Sequence, residues 1–240
     1  MLEWLSEIDR ADKLVPDLVI YGSSLLSFAF IPPHFGRKIW WLLGWFLFLN
    51  LVFLLELWDF VSWESPAIFI ALGQLPWMLL LADLLFKGRL APKVAAIPMR
   101  ELILWQTTRL MGLHFLLAIY GGYAPDDFAA PVGLSEIITG LGAIALYVKY
   151  RPESGLYRTF LIFWNTYGLT SVMSGEYRIF LSNPHIPFSR YSSEIFKYVT
   201  SYPQNWGYCF WFPLAIGMHL AVYYKLYLSR NSKITAKSLV

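Results

Sequence analysis

The chain of 240 residues holds a single cysteine, Cys209. A lone thiol excludes an intrachain disulfide and any metal site built on cysteines. Histidine is scarce as well: four in all, too few for a multi-histidine iron centre. Charged residues make up 15% of the chain, against about 25% in an ordinary soluble domain. No glycine-rich phosphate loop closed by Lys-Ser/Thr occurs, and neither does His-Glu-x-x-His or a Gly-x-Ser-x-Gly elbow. A retinal Schiff base would need a lysine where the last apolar stretch has Gly217, Met218 and His219. There is no Asn-x-Ser/Thr acceptor, no internal repeat and no basic surface interleaved with aromatics, so nucleic acid is not an expected partner. The opening MLEWLSEIDRADK is acidic and amphipathic. It reads as a short interfacial helix rather than a cleavable leader, which would start basic and continue apolar.

What is abundant is apolar. Hydrophobic residues reach 57% and aromatics 18%, with 11 tryptophans. Seven apolar stretches of about 20 residues are each long enough to approach a bilayer crossing. They run over 15–30, 39–57, 67–86, 101–120, 133–148, 157–176 and 206–224. Basic residues collect in every second gap. One set holds Arg37 and Lys38, then Lys87, Arg89, Lys93 and Arg100, then Lys149, Arg151 and Arg158, then Lys225, Arg230, Lys233 and Lys237. The opposite set holds only Arg10, Lys13, Arg178, Arg190 and Lys197. The positive-inside bias then predicts an outer N-terminus and an inner C-terminus, the parity that seven crossings require. The expected fold is therefore all-α: a polytopic integral membrane bundle of seven transmembrane helices. It forms one domain over residues 1–240, with an outer segment 1–13 and a short cytoplasmic tail 229–240. Compact loops without glycosylation acceptors fit a bacterial inner membrane, and the lipid bilayer is the first expected partner.

A few polar residues fall inside the stretches. Arg109 lies about 12 Å above the inner boundary by helical rise. A charge at that depth is costly, so it is expected to face the bundle and find a partner. Glu136 is the expected partner and Asp83 the competitor. Gln106 and Gly112 flank Arg109 at three residues on either side. His114 and His219 sit at similar depth, which invites a haem held between them with Arg109 on a propionate. A two-histidine metal site would need Glu136 or Asp127 as a third ligand. The ordinary alternative is that each histidine hydrogen-bonds across a helix interface, and no metal is expected. The small and polar stripe Asn165, Gly168, Ser171 and Gly175 reads as a packing seam or a lined pathway. Acids including Glu64, Asp126, Asp127, Glu136, Glu176 and Glu194 gather toward the outer side and would form a vestibule or simply mark where basic residues are excluded. Between the fourth and fifth stretches, Pro125–Gly133 is apolar yet rich in helix breakers. With a fifth stretch of only about 24 Å by helical rise, this segment is expected to dip into the membrane as a loop.

Arg109, Gly112, Pro125, Phe128, Ala129, Pro131, Gly133, Glu136 and Gly140, with Pro213 and His219 in the last stretch, resemble a pattern in a set of uncharacterised bacterial multipass membrane proteins. The chain departs from it at Glu136, where the pattern has Asp, and at Ala124, where it has Leu. The resemblance implies a membrane architecture and a candidate site, and no reaction. The leading expectation is a protein that binds or moves a small molecule or ion at a polar site formed by Arg109, Glu136 and His219, with His114, Asn165, Gln106 and Asp127 as further candidates. The others are a non-catalytic membrane subunit or assembly factor that meets a membrane protein partner, and a haem-binding redox protein. An enzyme using Glu136 and His219 as acid and base is a further expectation.

Overall fold

The structure is a computed structural model, and it describes residues 66–122, 124–201, 204 and 207–237. The expected interfacial N-terminal helix and the first two apolar stretches lie outside the described residues. Among those described, every regular element is helical and there is no strand. The elements are α1 (Pro66–Leu85), α2 (Ala91–Ala96), α3 (Met99–Trp105), a 3₁₀ segment (Gln106–Gly112) and α4 (Leu113–Tyr120). Then come α5 (Asp126–Val148), α6 (Gly155–Ser182), α7 (Ser193–Thr200), a π-helical turn (Gly207–Trp211) and α8 (Phe212–Lys237). Among the described residues, two rods are long and apolar enough to cross a membrane: Met99–Tyr120, which joins α3 to α4 through the 3₁₀ segment, and Asp126–Val148.

The rod Met99–Tyr120 and α5 form a tight antiparallel pair, and α6 packs against α5. α8 lies against α6, α1, α2 and α3, while α7 rests on α6 and the π-helical turn. The 3₁₀ segment has a physical consequence. At three residues per turn, side chains three apart eclipse one another. Gln106, Arg109 and Gly112 therefore stand in one line, and all three are buried. Gly112 lets the backbones of the pair touch. A Cβ there would come within 2.6 Å of the Gly133 carbonyl, and one on Gly133 within 2.9 Å of the Gly112 carbonyl. Two turns on from Gly133, a Cβ at Gly140 would stand 2.9 Å from the Leu110 nitrogen. Small residues at these positions bring Glu136, set between Gly133 and Gly140, directly against the arginine.

The segment expected to dip as a loop is helical instead. α5 starts at Asp126 and runs 23 residues, about 35 Å at helical rise. Pro125 is extended and precedes the first turn, where Asp126 and Asp127 suit the positive end of the helix dipole. Pro131 sits inside the helix without breaking it. Having no N–H, it leaves the carbonyl four residues earlier, that of Asp127, without its helical donor. Arg178 of α6 supplies the replacement: its Nη1 donates to Asp127 O at 2.5 Å. The break that composition suggested is thus closed by a donor from a neighbouring helix.

Cations at the opposite end of the bundle also close backbone gaps. Lys225 Nζ donates to Ala95 O at 2.8 Å, and Arg158 Nη2 to Leu226 O at 3.2 Å. The Arg100 guanidinium stands 4.3 Å from the centroid of the Tyr147 ring. Asp83, the competing partner expected for Arg109, is engaged elsewhere: its Oδ2 accepts from the N–H groups of Leu90 and Ala91 at 2.8 and 3.0 Å, at the start of α2.

Apolar side chains fill the core and also cover the outer faces of several helices. α5 exposes Leu134, Ile138, Leu141, Ile144 and Val148, and α6 exposes Leu156, Phe160 and Phe163. α1 exposes Leu75, Met78, Leu79 and Leu85. Spacings of three and four residues make these continuous apolar ridges. Arg109, Glu136, Asn165, Glu176 and His219 are buried. The crossing of the central pair supplies a test. Gly112→Ala and Gly140→Ala should each lower the thermal midpoint of the purified protein, by about 1–3 kcal/mol of stability, as overpacking does. Gly155→Ala, where an added Cβ meets nothing within 4 Å, should not. Equal midpoints for all three variants would contradict this packing.

Candidate functional site

Arg109, Glu136, His219 and Asn165 form one continuous polar chain across the bundle. Arg109 is 2% exposed, Glu136 4%, and the other two are fully buried. The guanidinium meets the carboxylate edge to edge. Nε donates to Glu136 Oε2, and Nη2 to Oε1 at 2.5 Å. This two-point geometry is open to arginine and not to lysine, because the guanidinium fork matches the spacing of carboxylate oxygens. Nη1 lies 3.4 Å from His219 Nε2. Arginine can only donate, so Nε2 accepts and the ring proton sits on Nδ1. That proton points at Asn165 Oδ1, 2.8 Å away. The Asn165 amide nitrogen then donates to the His219 carbonyl at 3.1 Å. Each tautomer and amide orientation follows from the donor-only arginine at the head of the chain.

Four elements are tied by this chain: the 3₁₀ segment, α5, α8 and α6. Gly168 makes room for the imidazole, since a Cβ there would lie 2.7 Å from His219 Nε2. Trp164, one turn before Gly168, donates its indole N–H to Thr139 O at 2.8 Å and holds α6 to α5 beside the ring.

A groove runs between α5 and α6 and ends against the same chain. Its volume is about 190 Å³. Pro131 and Ser135 line it from α5; Tyr167, Thr170, Ser171, Ser174 and Arg178 line it from α6. Ser171 forms the connection: it lines the groove, and its hydroxyl accepts from Arg109 Nη2 at 3.4 Å.

The predicted residues thus divide. Arg109, Glu136, His219 and Asn165 come together, and Gly168 and Ser171 of the expected stripe join them. His114 does not: its Nδ1 pairs with Met111 O of its own turn at 2.8 Å. Gln106 is fully buried one turn before Arg109, with neither amide atom hydrogen-bonded. Asp127 is exposed and enters only through its backbone carbonyl. Among the described residues the acids do not assemble into a vestibule either, and Glu64 lies outside those residues. Glu136 and Glu176 are buried in separate places, whereas Asp126, Asp127 and Glu194 are exposed. These residues do not fit a haem. Both ring nitrogens of His219 are engaged, and the α6 backbone at Gly168 closes over the ring. Among the described residues, no three metal-ligating side chains are grouped. Sequence reasoning missed the hydroxyl groove. Tyr167, Thr170, Ser171, Ser174 and Arg178 recur at helical spacing, and that recurrence was the available signal. It also missed the hydrogen bond from Gln74 to Glu176, which joins residues 102 apart in sequence.

The ion pair makes a quantitative prediction. Arg109→Leu and Glu136→Leu should each destabilise the folded protein by about 3–5 kcal/mol, since each strands a buried charge. The double variant should recover much of the loss, because no unpaired charge remains. Unfolding of all four proteins in one detergent measures the coupling; additive losses would contradict the pairing.

No curated protein and no solved structure matches the chain. A family match covers residues 66–227, which takes in all the residues of the polar chain and the groove. On that span the protein belongs to the family defined by the domain of unknown function DUF8737.

Proposed function

We infer that the protein is a multipass membrane protein that binds or moves a small polar molecule or ion, admitted from the outer side through the groove between α5 and α6. The observation that carries this reading is Ser171, which lines the groove and touches the buried arginine. A ligand seated among the Ser135, Tyr167, Thr170 and Ser174 hydroxyls would lie one hydrogen bond from the polar chain. Apolar pockets with a few converging polar groups are the usual form of small-molecule sites.

The membrane setting rests on charged residues buried in the bundle together with apolar ridges on its outer faces. Buried charge with exposed apolar ridges is the arrangement a bilayer favours and water does not. The alternation of basic gaps supports seven crossings, with the N-terminus out and the C-terminus in, in a bacterial inner membrane. The contacts of Arg100, Arg158 and Lys225 accord with an inner surface at that end.

A second reading, a non-catalytic subunit or assembly factor, is favoured by the saturation of the polar chain. Both carboxylate oxygens of Glu136 and both ring nitrogens of His219 are already bonded within the protein. On this reading the chain only fixes helix packing.

Two measurements test these readings. Reporter fusions at Lys93 and Ser238 should both read as cytoplasmic, and one at Asp126 as external. Opposite sides for Lys93 and Ser238 would overturn the seven-span topology. In a Cys209→Ser background, Ser174→Cys should react with a membrane-impermeant maleimide added outside, whereas Ile138→Cys on the apolar ridge should not. Failure of Ser174→Cys to react would remove the groove as an entry path and leave the subunit reading.

A further inference from the structure

A second buried carboxyl lies apart from the chain just described. Glu176 is 3% exposed, on α6, where α1 and the π-helical turn come together. Gln74 of α1 donates from Nε2 to Glu176 Oε2 at 2.5 Å, and the same nitrogen lies 3.4 Å from the Tyr208 hydroxyl. Glu176 Oε1 is buried without a hydrogen-bond partner. The orientation of Gln74 is fixed from behind. Trp77 Nε1 donates to its Oε1 at 2.9 Å, and an indole N–H can only donate. The amide nitrogen of Gln74 therefore faces the carboxyl.

Among the described residues, no cation answers this carboxyl. Of the charged groups on the surrounding elements, Arg178 turns to Asp127 O and the Tyr191 ring, and Lys197 of α7 pairs with Glu194. Asp83 of α1 holds the start of α2, Lys225 of α8 reaches Ala95 O, and Arg109 is occupied by Glu136. The titratable neighbour is Tyr208. An ionised carboxylate buried without a counter-charge is far costlier than a neutral carboxyl with the same hydrogen bond. A bound metal cation fits poorly, because Gln74 presents a donor here and spends its oxygen on Trp77. A proton fits. It would sit on Oε1, while the carbonyl oxygen Oε2 accepts from Gln74. The adjoining turn is π-helical, a rare geometry that is frequent at functional sites.

We propose that Glu176 is a proton-binding site of this protein, separate from the Arg109–Glu136–His219–Asn165 chain, with Gln74 positioning the protonated carboxyl. The two buried glutamates then have opposite states in one bundle: Glu136 ionised against arginine, Glu176 neutral. Ionisable residues buried inside membrane bundles mark proton relays among other pathways.

The test is infrared spectroscopy of the full-length protein in lipid at neutral pH. A protonated-carboxyl C=O band that shifts in D₂O should be present in the wild type. It should be lost in Glu176→Gln, an isosteric neutral replacement, and retained in Glu136→Gln. Gln74→Leu gives an independent variant: it removes the hydrogen bond to the carbonyl, so the band should move to higher frequency without disappearing. No such band in the wild type would overturn the proposal. So would a band unchanged in Glu176→Gln or in Gln74→Leu, or one lost in Glu136→Gln. None of these outcomes depends on whether the groove binds a ligand.

Discussion

Arg109 is buried only because the Glu136 carboxylate meets its guanidinium edge to edge, and much of the bundle follows from that requirement. The carboxylate must approach to hydrogen-bonding distance, so the two rods that carry the pair must nearly touch. Gly112, Gly133 and Gly140 permit that approach. The 3₁₀ turn lines up Gln106, Arg109 and Gly112, so the charge and the small residue share one face. The guanidinium donors left over reach His219 and Ser171, which draws α8 and α6 to the same point. Glu136 loses both its hydration and any alternative partner in this setting, so the pair acts as a fixed joint between helices rather than as a surface ion pair.

The same economy of donors runs through the rest of the molecule. Pro131 orphans a carbonyl, and Arg178 fills the gap. Asn165 closes a loop of hydrogen bonds on His219. Trp77 fixes an amide that in turn fixes Glu176. Where water is scarce each buried polar group needs a named partner, and the apolar ridges of α1, α5 and α6 face outward. In the bilayer setting proposed above, the protein binds its helices together by polar contacts, with apolar surface left to the lipid. The contrast between the two buried glutamates, one with a cation and one without, is then a contrast between a structural joint and a group that can carry a proton.

Much of the central pair was legible in the sequence. A lone arginine deep in an apolar stretch needs a partner, and Glu136 lay on the next apolar stretch with small residues on its face. His219 and Asn165 were legible as polar residues to be turned inward, but their order in the chain was not. That order depends on α6 and α8 flanking the pair, which no local spacing encodes. The helix over Asp126–Val148 was misjudged because proline and glycine were counted as breakers, whereas the cure for Pro131 lies 47 residues away in Arg178. His114 and His219 shared a depth, and depth says nothing about azimuth: one ring turned back to its own helix. Asp83 looked like a counter-charge, and the bend after α1 took it as a cap for α2.

The claim that one hydrogen-bonded chain runs from Glu136 to Asn165 is tested most directly by nitrogen-15 NMR of the His219 ring, with the protein in lipid. The account predicts a neutral ring with the proton on Nδ1 and an accepting, unprotonated Nε2. The Nδ1 signal should move in Asn165→Ala and the Nε2 signal in Arg109→Lys. A ring protonated at Nε2, or one that responds to neither substitution, would contradict it.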